Sequence, residues 1–383
     1  MLRTSNSRSK SEQQTLKGIK PYIEELKISG VNNISISEEI DCYTYEIRKR
    51  KSISGYLNLG KGYEEIGAKV SGLMEAIEVS VIEMTAPSYW YSKSCFKDLE
   101  RNKMKSKDRK KKDTTEMYVY GEDMITTEPK KQKLVDIVYQ IKNLSGKLEG
   151  GKNKTNGLAS GNNIEEATTH ALYELIERHQ MTTKRIEPLG KIVKIEESSP
   201  FREILEKTKR LGIRTNFYIL GTLAETITIE CCISNINTKG IKESYECQGW
   251  GCSEDTEIAC SRALAEAMQG LAVAKAMENN QYGLANEIST KNGYMMDSND
   301  FMNQVKTRQD GFINMRDRST INEIDAKELL LQNKKKGYSL NELINNLRSE
   351  GYENIERYIL TDESLPFSVV RLIIPELRCP EGL

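Results

Sequence analysis

The chain has 383 residues, with 56 Lys and Arg against 56 Asp and Glu for a formal net charge of +0. That balance excludes a global field favouring nucleic acid or an anionic membrane, and the longest apolar runs fall short of the ~20 residues that a membrane span needs. A hydrophobic content of 38% still supports a sizeable core, while 29% charged residues and a mean hydropathy of −0.58 predict a polar surface.

Residues 1–15 carry basic side chains but no apolar stretch of the secretory type, and read as a flexible polar lead-in. An amphipathic helix is expected over 15–28, through Leu16, Ile19, Tyr22, Ile23 and Leu26. Residues 41–59 look extended, and GlyLysGly at 60–62 leads into a helix over 64–84. A basic insertion is expected near 98–132. Its core, 103–113, has seven Lys or Arg among eleven residues, the composition of a solvated loop or of a docking site for an acidic partner. Residues 116–120 read as a strand, 133–139 as a strand or short helix, and 146–157 as a loop by its glycines. A helix over 163–181 follows.

Further on, 200–211 reads as helix, and 217–220 and 226–234 as strands before a Gly-rich turn at 249–251. A helix covers 256–276, and a polar insertion is expected near 279–325. A capped helix at 339–351 and a strand at 368–375 close the chain. There is no tandem repeat. Strands interleaved with helices predict an α/β or α+β protein. The cysteines Cys42, Cys95, Cys231, Cys232, Cys247, Cys252, Cys260 and Cys379 form no CxxC pair. Cys247 and Cys252 lack the second pair or nearby His of a zinc site, so a reduced, cytoplasmic protein is expected.

Three of the helices carry acids where their neighbours are apolar. In the first, Ser71, Glu75 and Glu78 lie within a ~60° arc at ~100° per residue, amid Val70, Met74, Val79 and Ile82. In the second, Glu166, His170, Glu174 and Glu177 form one stripe, and Ser160–Asn163 supplies an N-cap whose free backbone N–H groups suit phosphate. In the third, Arg262, Glu266 and Gln269 share a stripe. An ion pair with Glu266 is the alternative role for Arg262. Carboxylates on three buried faces oppose folding unless cations compensate them. Mg2+ held between carboxylates and phosphates answers that need. The GxxxxGK[ST] and GxGxxG phosphate loops are absent, so an ATP site here has another design.

GlyLysGly 60–62 with SGLMEAIE, then GNNIEEATTHALYELIER, then SRALAEAMQ, in this order, resemble the YcaO family over roughly residues 20–275. The resemblance implies a fold of mixed sheets and helices enclosing an ATP and Mg2+ site, in one catalytic domain spanning 16–383. It implies ATP-dependent phosphorylation of a backbone amide oxygen in a ribosomally made peptide or protein. Glu75, Glu78, Glu166, Glu174, Glu177 and Glu266 match metal-site positions, and Lys61, Ser71, Asn162, Arg178, Arg262 and Gln269 match nucleotide-site positions. Val79 and Leu271 stand where many members have Arg, and GlyValAsnAsn 30–33 lacks the Arg of a GITR-like segment. The ending IIPELRCPEGL has no PxPxP and looks more like the TfuA-associated branch, which forms thioamides with external sulfide. An azoline-forming cyclodehydratase acting on Cys, Ser or Thr is the alternative, and a non-catalytic leader-peptide-binding homologue a second. Cys379 is a possible sulfur relay, though a lone Cys is more often incidental. Expected partners are a precursor peptide, a TfuA-like or E1-like protein and a second copy of the chain, with no nucleic acid and no membrane.

Overall fold

Each of the three acid-bearing helices follows directly on a β-strand that carries glycine where the helix crosses it. The computed structural model of the chain describes residues 8–26, 28–49, 57–85, 118–133, 141–142, 148–149, 155–186, 192–194, 200–235, 245–279, 323–325 and 339–378. The core of the basic segment, all but the first residue of the strand or helix expected at 133–139, most of 279–325, Cys95 and Cys379 lie outside these residues.

Helix α1 (Glu12–Ile19) opens with a capping box in which Ser11 and Gln14 satisfy each other's backbone N–H. The helix expected over 15–28 therefore starts earlier and stops sooner. A 3₁₀ turn at Lys20–Tyr22 contains Pro21, which has no N–H to continue an α-helix, and β1 (Ile28–Asn33) is already extended. Residues 8–15 are also not a floppy lead-in. Thr15 is buried, and its hydroxyl donates to Asn162 Oδ1 at 2.8 Å.

Strand β1 pairs with β2 (Tyr43–Lys49), which pairs with β3 (Leu57–Gly62), all antiparallel, with Tyr43 opposite Gly62. Helix α2 (Glu65–Thr85) packs back on β3 and β2. The contact requires glycine: a Cβ on Gly60 would stand 2.0 Å from Ala68 O and 2.2 Å from Gly72 N.

Strands β4 (Tyr118–Asp123) and β5 (Pro129–Lys133) form a hairpin, its turn held by Asp123 accepting the N–H groups of Ile125 and Thr126. This end of the stretch expected as an insertion is built into the main sheet instead, because β4 pairs with β14 (Glu356–Ile359). The short pair β6 (Ile141–Lys142) and β7 (Leu148–Glu149) follows in the chain, β7 lying in the segment expected as a loop. Strand β8 (Leu158–Gly161) runs into α3 (Ile164–Ile186), and β15 (Ser368–Ile373) pairs with both β14 and β8. The sheet order is β5-β4-β14-β15-β8. Helix α3 lies on β8 and β15, sharing a core with the capped helix α6 (Leu340–Ser349).

The third sheet contains β9 (Ile192–Lys194), β10 (Ile213–Leu223), β11 (Thr226–Asn235), β12 (Glu246–Ser253) and β13 (Glu323–Asp325), in the order β12-β11-β10-β9-β13. Among the described residues only β13, the described end of the expected polar insertion, pairs in parallel, with β9. Helices α4 (Pro200–Arg210) and α5 (Thr256–Glu278) cover this sheet over the largest core cluster. Residues 249–251, expected as a turn, lie inside β12. Their glycines serve packing: a Cβ on Gly249 would stand 2.3 Å from Ala263 O and Ala267 N, and one on Gly251 2.2 Å from Ala259 O. The class is a mixed, mostly antiparallel α+β fold.

Candidate functional site

The close strand–helix packing aims the charged faces of α2, α3 and α5 at one another. Helix α2 reaches β8, where Ser160 Oγ donates to Met74 O at 3.1 Å, and α5 reaches β3. There Lys61 Nζ meets Glu266 Oε2 at 2.8 Å. Glu266 thus takes its cation from β3, not from Arg262 one turn away.

The carboxyls register one another's charge. Desolvation is the largest influence on Glu75 and raises it to about 7. Repulsion from Glu266 and Glu174 adds to this, while Lys61 and the Leu59 N–H oppose it. Glu174 is also raised to about 7 by desolvation and by Glu177, against the pull of Arg178 and Arg371. Glu78 is pushed well up by desolvation and by Glu174 and Glu75. Glu177 is raised by desolvation and by Glu266. For Glu266, desolvation pushes upward, but Lys61, Arg178 and the Trp250 N–H outweigh it and leave the group lowered. Glu75 and His170 are both exposed, yet the protein around them displaces enough water for desolvation to dominate each. Contact with solvent on one side and protein on the others describes the wall of a recess. His170 is held down to about 4 by desolvation and Arg262, and so stays neutral.

Five expected residues, Glu75, Glu78, Glu174, Glu177 and Glu266, therefore meet with Lys61, Arg178 and Arg262 around them. Arg178 stands 4.0 Å from Glu174, and Arg262 acts on Glu177 and His170. Ser71 and Gln269 are half-buried on the same helices. Glu166 and Asn162 are held differently. Asn162 Nδ2 donates to both oxygens of Glu166 at 3.0 and 3.1 Å, and Ser9 donates to Glu166 through its N–H and its hydroxyl. Asn163 acts as the expected N-cap, its Oδ1 accepting the Glu166 N–H at 2.8 Å, so that one N–H at this helix start is already taken.

Oxygen donors that burial and mutual repulsion keep part-protonated suit a hard divalent cation, and flanking Lys and Arg suit phosphate oxygens. Among the described residues, no three His, Cys, Asp or Glu side chains form a ready-made metal cage.

A family model described as YcaO cyclodehydratase, ATP- and Mg2+-binding, matches residues 134–378. The chain belongs to the YcaO family. It is an ATP- and Mg2+-dependent enzyme of the peptide-modifying kind that this family comprises. An uncharacterized protein in the tfuA 3′ region of Rhizobium leguminosarum bv. trifolii is 23% identical over 97% of the chain and 89% of its own length. The YcaO fold is shared with a structure of YcaO from Methanopyrus kandleri bound with AMPPCP and Mg2+, at a TM-score of 0.67 and 18% identity over 97% of this chain and 92% of that one. A heterocyclase in complex with substrate and cofactor has the same TM-score at 14% identity, and the chain spans 53% of it. Among the described residues of this YcaO protein, no helix is long and apolar enough to cross a membrane.

Sequence reasoning missed several neighbours of the recess. Arg371 in β15 is 1% exposed and lowers Glu174. A single Arg inside SVVRLI was the available signal. The backbone N–H groups of Leu59, Ser160, Gly157 and Trp250 carry no sequence signal at all, and the contacts of Ser9 and Thr15 bridge about 150 residues.

Proposed function

We propose that this YcaO enzyme phosphorylates the oxygen of a backbone amide in a ribosomally made peptide or protein and replaces it with sulfur from external sulfide. The observation that carries the activation step is the meeting of Glu75, Glu78, Glu174, Glu177 and Glu266 with Lys61, Arg178 and Arg262 in one recess. The tfuA-region relative supports sulfide as the nucleophile. An amide carbon is a poor electrophile because nitrogen donates into the carbonyl, and its oxygen is a poor leaving group; phosphorylating the oxygen answers both. The amide oxygen attacks the γ-phosphorus of ATP and ADP departs. Hydrosulfide then adds to the carbon, and phosphate leaves with the original oxygen. Glu75, Glu78, Glu174, Glu177 and Glu266 hold Mg2+, with Glu166 at the edge of the set. Lys61, Ser71, Asn162, Arg178, Arg262 and Gln269 hold the nucleotide. Mg2+, when bound, neutralises phosphate oxygens, and Arg178 and Arg262 meet the charge that moves through the phosphoryl group. The reading includes one catalytic domain, a precursor peptide, a TfuA-like or E1-like partner, a homodimer and a cytoplasmic location.

The family's description as cyclodehydratases favours a second reading, in which a Cys, Ser or Thr side chain of the peptide attacks and an azoline forms. One reconstitution separates them: enzyme, partner, precursor peptide and Mg2+-ATP, with and without sulfide, followed by mass spectrometry. The expected product gains the mass of sulfur for oxygen only when sulfide is present. Loss of one water without sulfide overturns thioamidation in favour of the azoline. No ATP binding at millimolar Mg2+ overturns both.

A further inference from the structure

A buried pair outside the recess links two of its walls. Tyr173, the residue before Glu174 on α3, donates its hydroxyl to Glu254 Oε2 at 2.5 Å. Ser253 Oγ donates to the same oxygen at 3.1 Å and accepts the Asp255 N–H at 3.1 Å. The Asp255 carboxylate in turn caps α5, accepting the N–H groups of Glu257 at 2.8 Å and Ile258 at 3.3 Å. A continuous chain of hydrogen bonds therefore runs from α3 to the first turn of α5, whose next turn carries Arg262. Tyr173 is 8% exposed and Glu254 3%. A carboxylate buried this deeply is costly unless fully bonded, and the Tyr173 ring also packs in the core around α3. The charge of Arg262 reaches both Tyr173 and Glu177, and Glu177 and Glu266 repel between the same two helices.

We propose that Tyr173 and Glu254 are a positioning pair that sets the spacing of Glu177 on α3 from Arg262 on α5, and through it the affinity for Mg2+-bound nucleotide. The inference rests on the reading of the recess as the nucleotide site. Titration calorimetry with Mg2+-AMPPCP tests it. Tyr173→Phe and Glu254→Ala are each expected to weaken binding about tenfold, the scale of one hydrogen bond to a charged group. The double variant is expected to bind no more weakly than either single one. Glu254→Gln, which keeps an acceptor for both hydroxyls, is expected to stay within about twofold of the native chain. Native-like binding by folded Tyr173→Phe, or additive losses in the double variant, overturns the pair. So does a Glu254→Gln loss as large as that of Glu254→Ala. Should Tyr173→Phe not fold, Glu254→Ala carries the test, and unfolding of both assigns the pair a structural role only. A native chain that binds no Mg2+-AMPPCP overturns the reading of the site itself, a result distinct from all of these.

Discussion

Glu75 and Glu174, each raised to about 7, are partly protonated near neutrality because displaced water and like charge disfavour their ionised forms. Removing one such charge relieves the like-charge repulsion and, on the proposed reading, removes a metal ligand as well. Glu75→Gln is expected to lower ATP turnover by at least about 100-fold, the cost of deleting a principal electrostatic contact. Without Mg2+ its thermal midpoint is expected to be no lower than that of the native chain. A clear drop in that midpoint would assign Glu75 a structural role. The same groups set a pH dependence. A carboxyl raised above its unfolded value binds protons in the folded state that the unfolded state has released, so its contribution is lost as pH rises through about 7. His170, lowered from 6.5 to about 4, works in the opposite sense but only below its unfolded value. The metal-free protein should therefore melt at a lower temperature at about pH 8 than at about pH 6.5. Mg2+ with AMPPCP is expected to flatten or invert that slope, and a metal-free midpoint that rises with pH contradicts the assignment.

The working element is a strand that bears glycine followed by a helix that bears acid, and it occurs at β3–α2, β8–α3 and β12–α5. Gly249 shows why the two halves belong together, because its missing Cβ leaves room for Ala263 O and Ala267 N and for the Cβ of Glu266 at 2.7 Å. Gly249→Ala is expected to destabilise the protein by about 3 kcal/mol through overpacking against backbone. Denaturant unfolding checks this, and a loss within the ±0.5 kcal/mol of a neutral surface change would show that the approach is not tight. The helices after the first were legible in the sequence to within a few residues, since apolar periodicity and capping residues are local signals. The misplaced boundaries have local causes as well. Pro21 cut the first helix short, and the glycines of β12 resemble a turn until a helix is seen lying on them.

At the scale of the molecule, three sheets and the helices upon them put Glu75, Glu78, Glu174, Glu177 and Glu266 into one recess, although Glu75 and Glu266 lie 191 positions apart in the chain. The sequence by itself determined that acids stand on apolar helix faces, in an order characteristic of one family, because side-chain type and helical spacing are local properties of the chain. Only the tertiary structure decided which charges are neighbours. It gave Glu266 to Lys61 rather than Arg262, docked Ser9 and Thr15 on the start of α3, and set Arg371 behind Glu174. Those pairings depend on through-space distances and on the loss of water around each group, and neither is encoded at any single position.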